Sequence, residues 1–295
     1  MTMQKVIDVH THGIGGYDTR TTVAEHILRI AEIHGEQGVS EIIPTIYPAT
    51  IKIMRENIAV IKEAMELQKA ADSELSTPDS QPSTIIGVHL EGPFLNPIKC
   101  GALNAMTFID PTEDNLKKLI EGFEDVVKII TISPELEGAV TIIKTITDMG
   151  ITVSMGHSDA TYLEAEKGFR AGAKGITHIF NAMRAFHHRE PGIAGFGLTN
   201  TDIYIEVIAD PYHLHPATLE LIFKSKNSDR IILVSDTVRE TIPSAKSRGI
   251  TNKHGNLLGG CMTIAESAKR LIEMGFDEAL VMKSISENPE RYLKQ

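Results

Sequence analysis

The feature that most constrains the fold of this chain is the repeated alternation of short apolar segments with longer amphipathic segments. The apolar segments have the length of buried strands, and most of them are followed by apolar residues at helical spacing. Strands are predicted over 6–9, 41–45, 84–90, 126–132, 151–155, 175–179, 203–209 and 231–235. Helices are predicted over 22–34, 51–70, 111–122, 139–148, 162–171, 216–226, 263–274 and 277–286. This alternation predicts an α/β fold and favours a closed (β/α)8 TIM barrel over an open doubly wound sheet.

The size of the chain is compatible with one large hydrophobic core. It has 295 residues, of which 42% are hydrophobic, and this length lies near the upper limit for a single core. We therefore expect one (β/α)8 domain over residues 1–295, with a polar loop over 72–83 on the face away from any active site. No GxGxxG motif follows a predicted strand, which argues against a dinucleotide-binding fold.

The charge of the chain argues against several classes of partner. The formal net charge is -10, which is unlike a nucleic-acid-binding surface or a polybasic membrane contact. No apolar run reaches the roughly 20 residues of a spanning helix, and a strand-like segment follows Lys5 where a signal peptide would have its apolar region. We expect a cytoplasmic protein. Cys100 and Cys261 have neither disulfide-scaffold nor zinc-finger spacing.

Metal-binding and acid–base side chains stand at the ends of most of the predicted strands. In an eight-stranded parallel barrel the carboxyl ends of the strands form the catalytic face. The residues at these ends are His10 and His12 after strand one, Glu91 after strand three, His157 after strand five, His178 after strand six, His213 after strand seven and Asp236 after strand eight. Because so many strands end in such residues, we interpret the set as one site.

The residue types in this set indicate metal chemistry. Imidazole nitrogens and carboxylate oxygens are ligands of Zn²⁺, Mn²⁺, Fe²⁺ and Co²⁺. His10 and His12 lie two apart on an extended chain, so both rings project to the same side and can meet one ion. A divalent ion lowers the pKa of water to about 7 in favourable cases, and Asp236 is then the candidate general base and proton shuttle. The alternatives without metal chemistry are that His10 and His12 are a structural or merely exposed pair and that Asp236 begins a loop or caps a helix.

Seven short motifs follow one another along the chain. They are DVHTHG at 8–13, HLEGPFLNP at 89–97, GHSDAT at 156–161, THIFNAM at 177–183, HHREPG at 187–192, IADPYH at 208–213 and VSD at 234–236. In these motifs the chain resembles the barrel portion of the N-acetylglucosamine-6-phosphate deacetylase family, in the amidohydrolase superfamily. The resemblance implies hydrolysis of the acetamide of an N-acetyl amino-sugar 6-phosphate to acetate and the free amine.

The resemblance also implies roles for the residues at the strand ends. Glu91, His157 and His178 would hold the main metal ion, with zinc as the first expectation and manganese, iron or cobalt as alternatives. His10 and His12 would allow a second ion, bridged by Glu91. Water would be activated by Asp236, which would then protonate the leaving amine.

Substrate-binding roles follow from the same resemblance. The backbone around Asn181 and Ala182 would contact the sugar, and Arg189 and His213 would bind the phosphate, with one or both reaching across a homodimer. A guanidinium group suits a phosphate for chemical reasons as well, because its planar fork matches the oxygens. A solvated pair of Arg189 with Glu190 is the structural alternative.

Two departures from the family pattern bear on the substrate. The family usually has a His about a dozen residues after the metal-binding Glu, where it orients or polarises the substrate amide, and here that position is Leu103. Leu103 has no donor, so either another group such as His187, His188 or Asn104 substitutes for it, or the substrate differs. His188 is therefore included among the substrate-binding candidates. Family members also carry a small β-sandwich that we do not expect in this chain.

Two other functions stay open at this point. Another amidohydrolase reaction, such as cyclic amide, N-acylamino acid or phosphoester hydrolysis, could use the same metal site. A non-catalytic barrel that binds a sugar phosphate is the alternative from a different class, although such a protein would have no need of a water-activating Asp236.

Overall fold

The centre of the molecule is a sheet of parallel strands that curls into a barrel. The computed structural model describes residues 5–72, 81–244 and 248–294. The barrel strands are Ile7–Thr11 (β1), Glu41–Ile46 (β2), Val88–Glu91 (β3), Val127–Ile132 (β4), Thr152–Met155 (β5), Gly175–Ile176 (β6), Tyr204–Ile208 (β7) and Ile231–Val234 (β8). Each strand pairs in parallel with the next one along the chain.

Hydrogen bonds between the first and last strands nearly close the barrel. The N–H of Asp236, just beyond β8, donates to the carbonyl oxygen of His10 at 2.9 Å, and the N–H of His12 donates to that of Thr237 at 2.8 Å. The predicted (β/α)8 fold is confirmed. The same two hydrogen bonds bring the end of β8 against the paired histidines of β1.

Helices surround the barrel and bury their apolar faces against it. They are Ala24–Glu36 (α1), Ile51–Asp72 (α2), Glu113–Ile120 (α3), Ala139–Asp148 (α4), Tyr162–Arg170 (α5), Gly192–Thr199 (α6), Pro216–Ser225 (α7), Ile264–Glu273 (α8), Glu278–Ser284 (α9) and Glu287–Leu293 (α10). Capping boxes start α5, through Thr161 and Glu164, and α8, through Thr263 and Glu266. These pairs satisfy N–H groups that the first helical turn leaves free. No helix in the described part of the chain is both long and apolar enough to cross a membrane.

The structure differs from the predicted elements at several points. Predicted strand three is split into Thr84–Ile85 and β3, and predicted strand six ends early at Ile176. The last predicted helix, over 277–286, corresponds to α9, and α10 follows it as a helix that was not predicted. Short hairpins form at 13–18 and 250–259. Positions 73–80 of the predicted polar loop lie outside the described residues.

Helix α6 is a second helix that the sequence pattern did not predict. It contains Gly192, Gly195 and Gly197, and glycine lowers helix propensity by about 1 kcal/mol per residue relative to alanine. The helix nevertheless forms because it is buried close to the barrel. A Cβ added to Gly197 would lie 2.7 Å from the side chain of Ile176 in β6. The glycine therefore allows a close approach that a larger residue would prevent.

Candidate metal centre and active site

Six candidate residues from five strands meet at the carboxyl edge of the barrel. One lies in β1 and one directly follows it, one ends β3, and the others lie two residues beyond β5, β6 and β8. The residues are His10, His12, Glu91, His157, His178 and Asp236, and none is more than 8% exposed. They form two groups of potential metal ligands, within each of which the ligand atoms all lie within 4.8 Å of one another.

The first group is arranged around Glu91. Its Oε1 lies 3.1 Å from Nε2 of His157 and 3.0 Å from Nε2 of His178. Its other oxygen, Oε2, faces away from these rings and lies 3.3 Å from Nε2 of His12. One carboxylate therefore faces both groups, as a bridging ligand between two ions would have to do.

The second group consists of His10, His12 and Asp236. The Oδ1 atom of Asp236 lies 3.4 Å from Nε2 of each histidine. The two Nε2 atoms lie 3.3 Å from one another. All three ligand atoms thus converge on one point at the mouth of the barrel.

Three of these residues have backbone conformations that are uncommon outside glycine. The φ angles are +48° for His157, +31° for His178 and +48° for Asp236. Such angles disrupt the strand and cost free energy, and they are concentrated at functional sites. Here they explain why β6 ends before His178. The turn removes the side chain from the alternation of the strand and points it towards Glu91.

Carbonyl oxygens fix the ring orientation of two histidines. Nδ1 of His12 lies 3.0 Å from the carbonyl oxygen of Thr45, and Nδ1 of His157 lies 2.9 Å from that of Lys99. A carbonyl oxygen can only accept, so Nδ1 carries the hydrogen in both rings. With Nδ1 as the donor, Nε2 is the atom that faces the site and can bind a metal.

A buried carboxyl group fixes the ring orientation of His10. Nδ1 of His10 lies 3.2 Å from Oε2 of Glu206, in the middle of β7, and neither side chain is exposed. Burial lowers the pKa of His10 well below its usual range, and burial raises the pKa of Glu206 to about 7. Glu206 therefore holds a neutral His10 ring with Nε2 directed at the site. Glu206 lies inside a strand, so the pattern of residues at strand ends does not identify it.

We expect replacement of Glu206 by leucine to weaken metal binding at the His10 group. The Nδ1–H of His10 loses its acceptor, and loss of such an outer partner typically costs about 10–100-fold in metal affinity. Glu206→Gln keeps an amide oxygen that can accept from Nδ1, so its loss should be smaller. Titration of metal-free protein with Zn²⁺ or Mn²⁺ measures both, and equal affinity in all three proteins would remove Glu206 from the site.

The charges of the site also favour a bound cation. Burial, with the negative charge of Glu91 adding to it, raises the pKa of Asp236 well above its usual range. Burial opposes ionisation of Glu91 too, but the neighbouring His157, His12 and His178 hold its pKa well below the usual range. Two carboxylates in one buried site are stabilised when a positive charge lies between them.

The distances test whether a divalent ion fits. A neutral Nε2 atom and a carboxylate oxygen are both acceptors, so they repel one another unless a proton or a cation lies between them. Ligands at about 2.1 Å from a tetrahedral ion are about 3.4 Å apart. The Nε2-to-oxygen separations around Glu91 Oε1 and Asp236 Oδ1, 3.0–3.4 Å, fit this arrangement. The donor set therefore suits a divalent metal of the kind that imidazole and carboxylate ligands bind.

A cavity of about 390 Å³ opens beside the six residues. Besides residues of the two groups, it is lined by Tyr47, 101–103, Asn181, Ala182, Ile208, His213 and 255–259. Three of the predicted substrate-binding residues, Asn181, Ala182 and His213, thus border it, and so does Leu103. Nδ1 of His213 lies 2.9 Å from Oδ2 of the buried Asp210, which fixes the ring.

The other predicted substrate-binding residues lie outside the cavity. Arg189 and His188 are exposed on the surface, where Nη1 of Arg189 lies 3.1 Å from Nε2 of His188. His187 and Asn104, the other suggested substitutes for the donor that Leu103 lacks, are exposed as well. Within one copy of the chain, therefore, none of these four side chains reaches the metal groups.

No known family model matches the chain. An N-acetylglucosamine-6-phosphate deacetylase of Bacillus subtilis is 34% identical over 236 residues, which are 79% of this chain and 57% of that protein. An N-acetylgalactosamine-6-phosphate deacetylase of Escherichia coli O157:H7 is 28% identical over 97% of this chain and 76% of its own length. The chain thus spans little more than half of the Bacillus relative.

A solved structure extends the similarity to the fold. The N-acetylglucosamine-6-phosphate deacetylase of Thermotoga maritima superimposes with a TM-score of 0.84 and is 27% identical. The match covers 99% of this chain and 78% of the Thermotoga chain. The Thermotoga protein therefore shares the barrel and the order of its elements with this chain.

Proposed function

Because the chain belongs to the N-acetylglucosamine-6-phosphate deacetylase family, we propose that it is a metal-dependent hydrolase that removes the acetyl group from an N-acetyl amino-sugar 6-phosphate. The products would be acetate and the amino-sugar phosphate. The observation that carries the proposal is the convergence of two ligand groups on Glu91 beside a cavity of about 390 Å³. We further propose that residues 1–295 form one (β/α)8 domain.

The proposed metal ligands follow from the two groups. Glu91, His157 and His178 would hold one divalent ion, and His10 and His12 would hold a second, with Glu91 between them. Zinc is our first expectation, with manganese, iron or cobalt as alternatives that suit the same donors. When bound, the metal supplies positive charge that makes water more acidic and a carbonyl more electrophilic.

Asp236 is the proposed general base and acid. Its Oδ1 lies 3.4 Å from the Nε2 atoms of His10 and His12, at the border of the cavity. It would take a proton from water as the water oxygen bonds to the acetyl carbon, and then give a proton to the amine nitrogen as the C–N bond breaks. A positioned proton-transfer group of this kind contributes about 10²–10⁴-fold to the rate.

The substrate would be oriented by residues at the cavity wall. The backbone at Asn181 and Ala182 is proposed to contact the sugar, and His213 the phosphate. Asp210 supports this role, because its buried carboxylate accepts from Nδ1 of His213 and leaves Nε2 for a ligand. Arg189 and His188 would add to the phosphate site only from a second copy of the chain.

An apolar groove next to His213 supports a homodimer. It has a volume of about 600 Å³ and is lined by Phe180, Phe186, Leu198, Thr199, 213–215, Thr218, Leu221 and Ser225. Phe186 is 53% exposed and Leu221 is 51% exposed. A second copy that covered this groove would bury apolar surface and would bring its exposed HHREPG segment near His213. Exposed apolar patches of this kind are typical of interfaces.

We expect Leu221→Glu to convert the dimer to a monomer, because it places a charge in the proposed interface. Light scattering would measure the mass. The KM for the phosphorylated substrate should rise if Arg189 comes from the second copy. Leu163→Glu is the matched control, since Leu163 on α5 is 58% exposed but lies outside the groove. A wild-type monomer would contradict the proposal.

Acetate release together with metal analysis tests the proposed function. The purified protein should contain metal and should release acetate from N-acetylglucosamine 6-phosphate, and N-acetylgalactosamine 6-phosphate tests the choice of sugar. Unphosphorylated N-acetylglucosamine is the control for the phosphate site. Bound metal without acetate from either phosphate would refute the deacetylase and favour another amidohydrolase reaction. Neither metal nor turnover after addition of Zn²⁺ or Mn²⁺ would favour a non-catalytic barrel.

A further inference from the structure

Tyr47 has a place beside the metal groups that no assigned role explains. It follows β2 directly, and its half-buried side chain borders the cavity together with Glu91 and Asp236. We propose that the hydroxyl of Tyr47 donates a hydrogen bond to the acyl oxygen of the substrate amide. This inference rests on the proposed function and adds the group that binds the oxygen on which negative charge develops.

The ring of Tyr47 is held between two other side chains. On one face it stacks on His12, with ring centroids 3.8 Å apart and an interplanar angle of 17°. On the other face the guanidinium carbon of Arg20 lies 4.2 Å from the ring centroid. Arg20 is itself fixed, because its Nε and Nη2 donate to both oxygens of Asp18 at 2.9 and 2.7 Å. The stack orients the ring before a substrate arrives, as an efficient electrostatic contribution to catalysis requires.

The hydroxyl of Tyr47 is available for a ligand. It forms no hydrogen bond with another residue in the described part of the chain. A tyrosine hydroxyl in a half-buried position usually finds a partner. The ring that carries this hydroxyl contacts His12, a member of the proposed metal site. Tyr47 also lines the same cavity as Glu91 and Asp236, so a substrate in that cavity lies beside this donor.

Other side chains at the cavity are less suited to the same task. Leu103 has no donor. The amide nitrogen of Asn181 is directed at the carbonyl oxygens of His178 and Ile179, at 3.2 and 3.3 Å. Nδ1 of His213 donates to Oδ2 of Asp210. Asn256 lies in the exposed part of the 250–259 hairpin. Among these polar side chains at the cavity, Tyr47 is the one whose ring stacks on a member of the two groups.

The role follows from the charge change in the reaction. When water adds to the acetyl carbon, the carbonyl π electrons move to the oxygen, which becomes negative. The Tyr47 O–H stabilises this charge by hydrogen bonding and keeps its own proton throughout. Proton transfer from water to the leaving nitrogen stays with Asp236. Loss of one donor of this kind costs about 10²–10³-fold in rate.

Tyr47→Phe tests the inference because it removes the hydroxyl and keeps the ring between Arg20 and His12. We expect kcat/KM of the metal-loaded protein for N-acetylglucosamine 6-phosphate to fall about 100-fold, with unchanged metal content. The loss should be clearly smaller for the N-trifluoroacetyl analogue, whose more electrophilic carbonyl depends less on the donor. Tyr162→Phe is the matched control, since its hydroxyl lies 3.1 Å from Thr199 and outside the cavity.

Each other result overturns the inference. Unchanged kcat/KM in Tyr47→Phe, with an active wild type, refutes it alone and leaves the proposed function intact. An equal loss on both substrates, or a loss that accompanies a fall in bound metal, assigns Tyr47 a structural role through His12. A wild-type protein that releases no acetate from either substrate overturns the proposed function and this inference with it.

Discussion

Replacement of Asp236 by asparagine is expected to lower kcat by about 10³-fold, within the range that a positioned proton-transfer group contributes. Asparagine has almost the same shape, but its amide cannot take a proton from water at neutral pH. The side-chain oxygen remains, so the approach to the Nε2 atoms of His10 and His12, now 3.4 Å, can be kept. Metal content should therefore change little while turnover almost disappears. Steady-state kinetics and metal analysis of the same preparation measure the two effects.

A second aspartate provides the control for this substitution. Asp148 lies on the surface at the end of α4, where Oδ2 accepts from Nζ of Lys144 at 2.7 Å. Asp148→Asn should leave both kcat and metal content unchanged. An unaltered rate in Asp236→Asn would refute its role as the base. A loss of metal equal to the loss of rate would instead identify it as a ligand.

The fold could be predicted because its signal is local and repeated. Each strand is a short apolar run, and most of the helices that follow have apolar residues at helical spacing. The pattern failed where contacts far along the chain decide the conformation. Helix α6 has poor propensity and forms against β6, and β6 itself is short because His178 takes a positive φ of 31°. Neither fact can be obtained from spacing alone.

The candidate site was predictable in part for a simple geometric reason. Residues that follow parallel strands share one edge, so histidines and carboxylates at several strand ends must lie near one another. Glu206 was missed because it lies within a strand instead of after it. A single charged residue in the buried run YIEVI was nevertheless a signal, since an unpaired buried carboxylate is costly. Tyr47 showed no comparable signal, because its role depends on the stack with His12 and Arg20.

The substrate residues were the least predictable from sequence. Asn181, Ala182 and His213 border the cavity, whereas Arg189 and His188 are exposed in the single chain. A motif gives the residue types of a phosphate site, but the position of a flexible surface arginine depends on what packs against it. The oligomeric state therefore decides whether the HHREPG segment takes part in substrate binding.

The largest effect on metal binding is expected at Glu91, because it is the residue that faces both ligand groups. Its two oxygens lie 3.0 Å from Nε2 of His178, 3.1 Å from that of His157 and 3.3 Å from that of His12. Glu91→Gln removes a negative charge and replaces one ligand oxygen by an amide nitrogen that cannot bind a cation. Since loss of an outer partner alone costs about 10–100-fold in metal affinity, loss of this ligand should exceed 100-fold.

Metal-dependent stability measures this loss independently of turnover. An ion at 100 times its Kd stabilises the folded protein by about 2.7 kcal/mol, so the wild type should melt at a higher temperature after addition of Zn²⁺ or Mn²⁺ and at a lower one with a chelator. Glu91→Gln should melt at the same temperature in all three conditions and should release no acetate. Glu220→Gln, which removes an exposed carboxylate paired with Lys224 at 2.9 Å, should respond like the wild type. A Glu91→Gln protein that is still stabilised by metal would show that the histidines and Asp236 bind the ion without it, and a bridging Glu91 would then have to be abandoned.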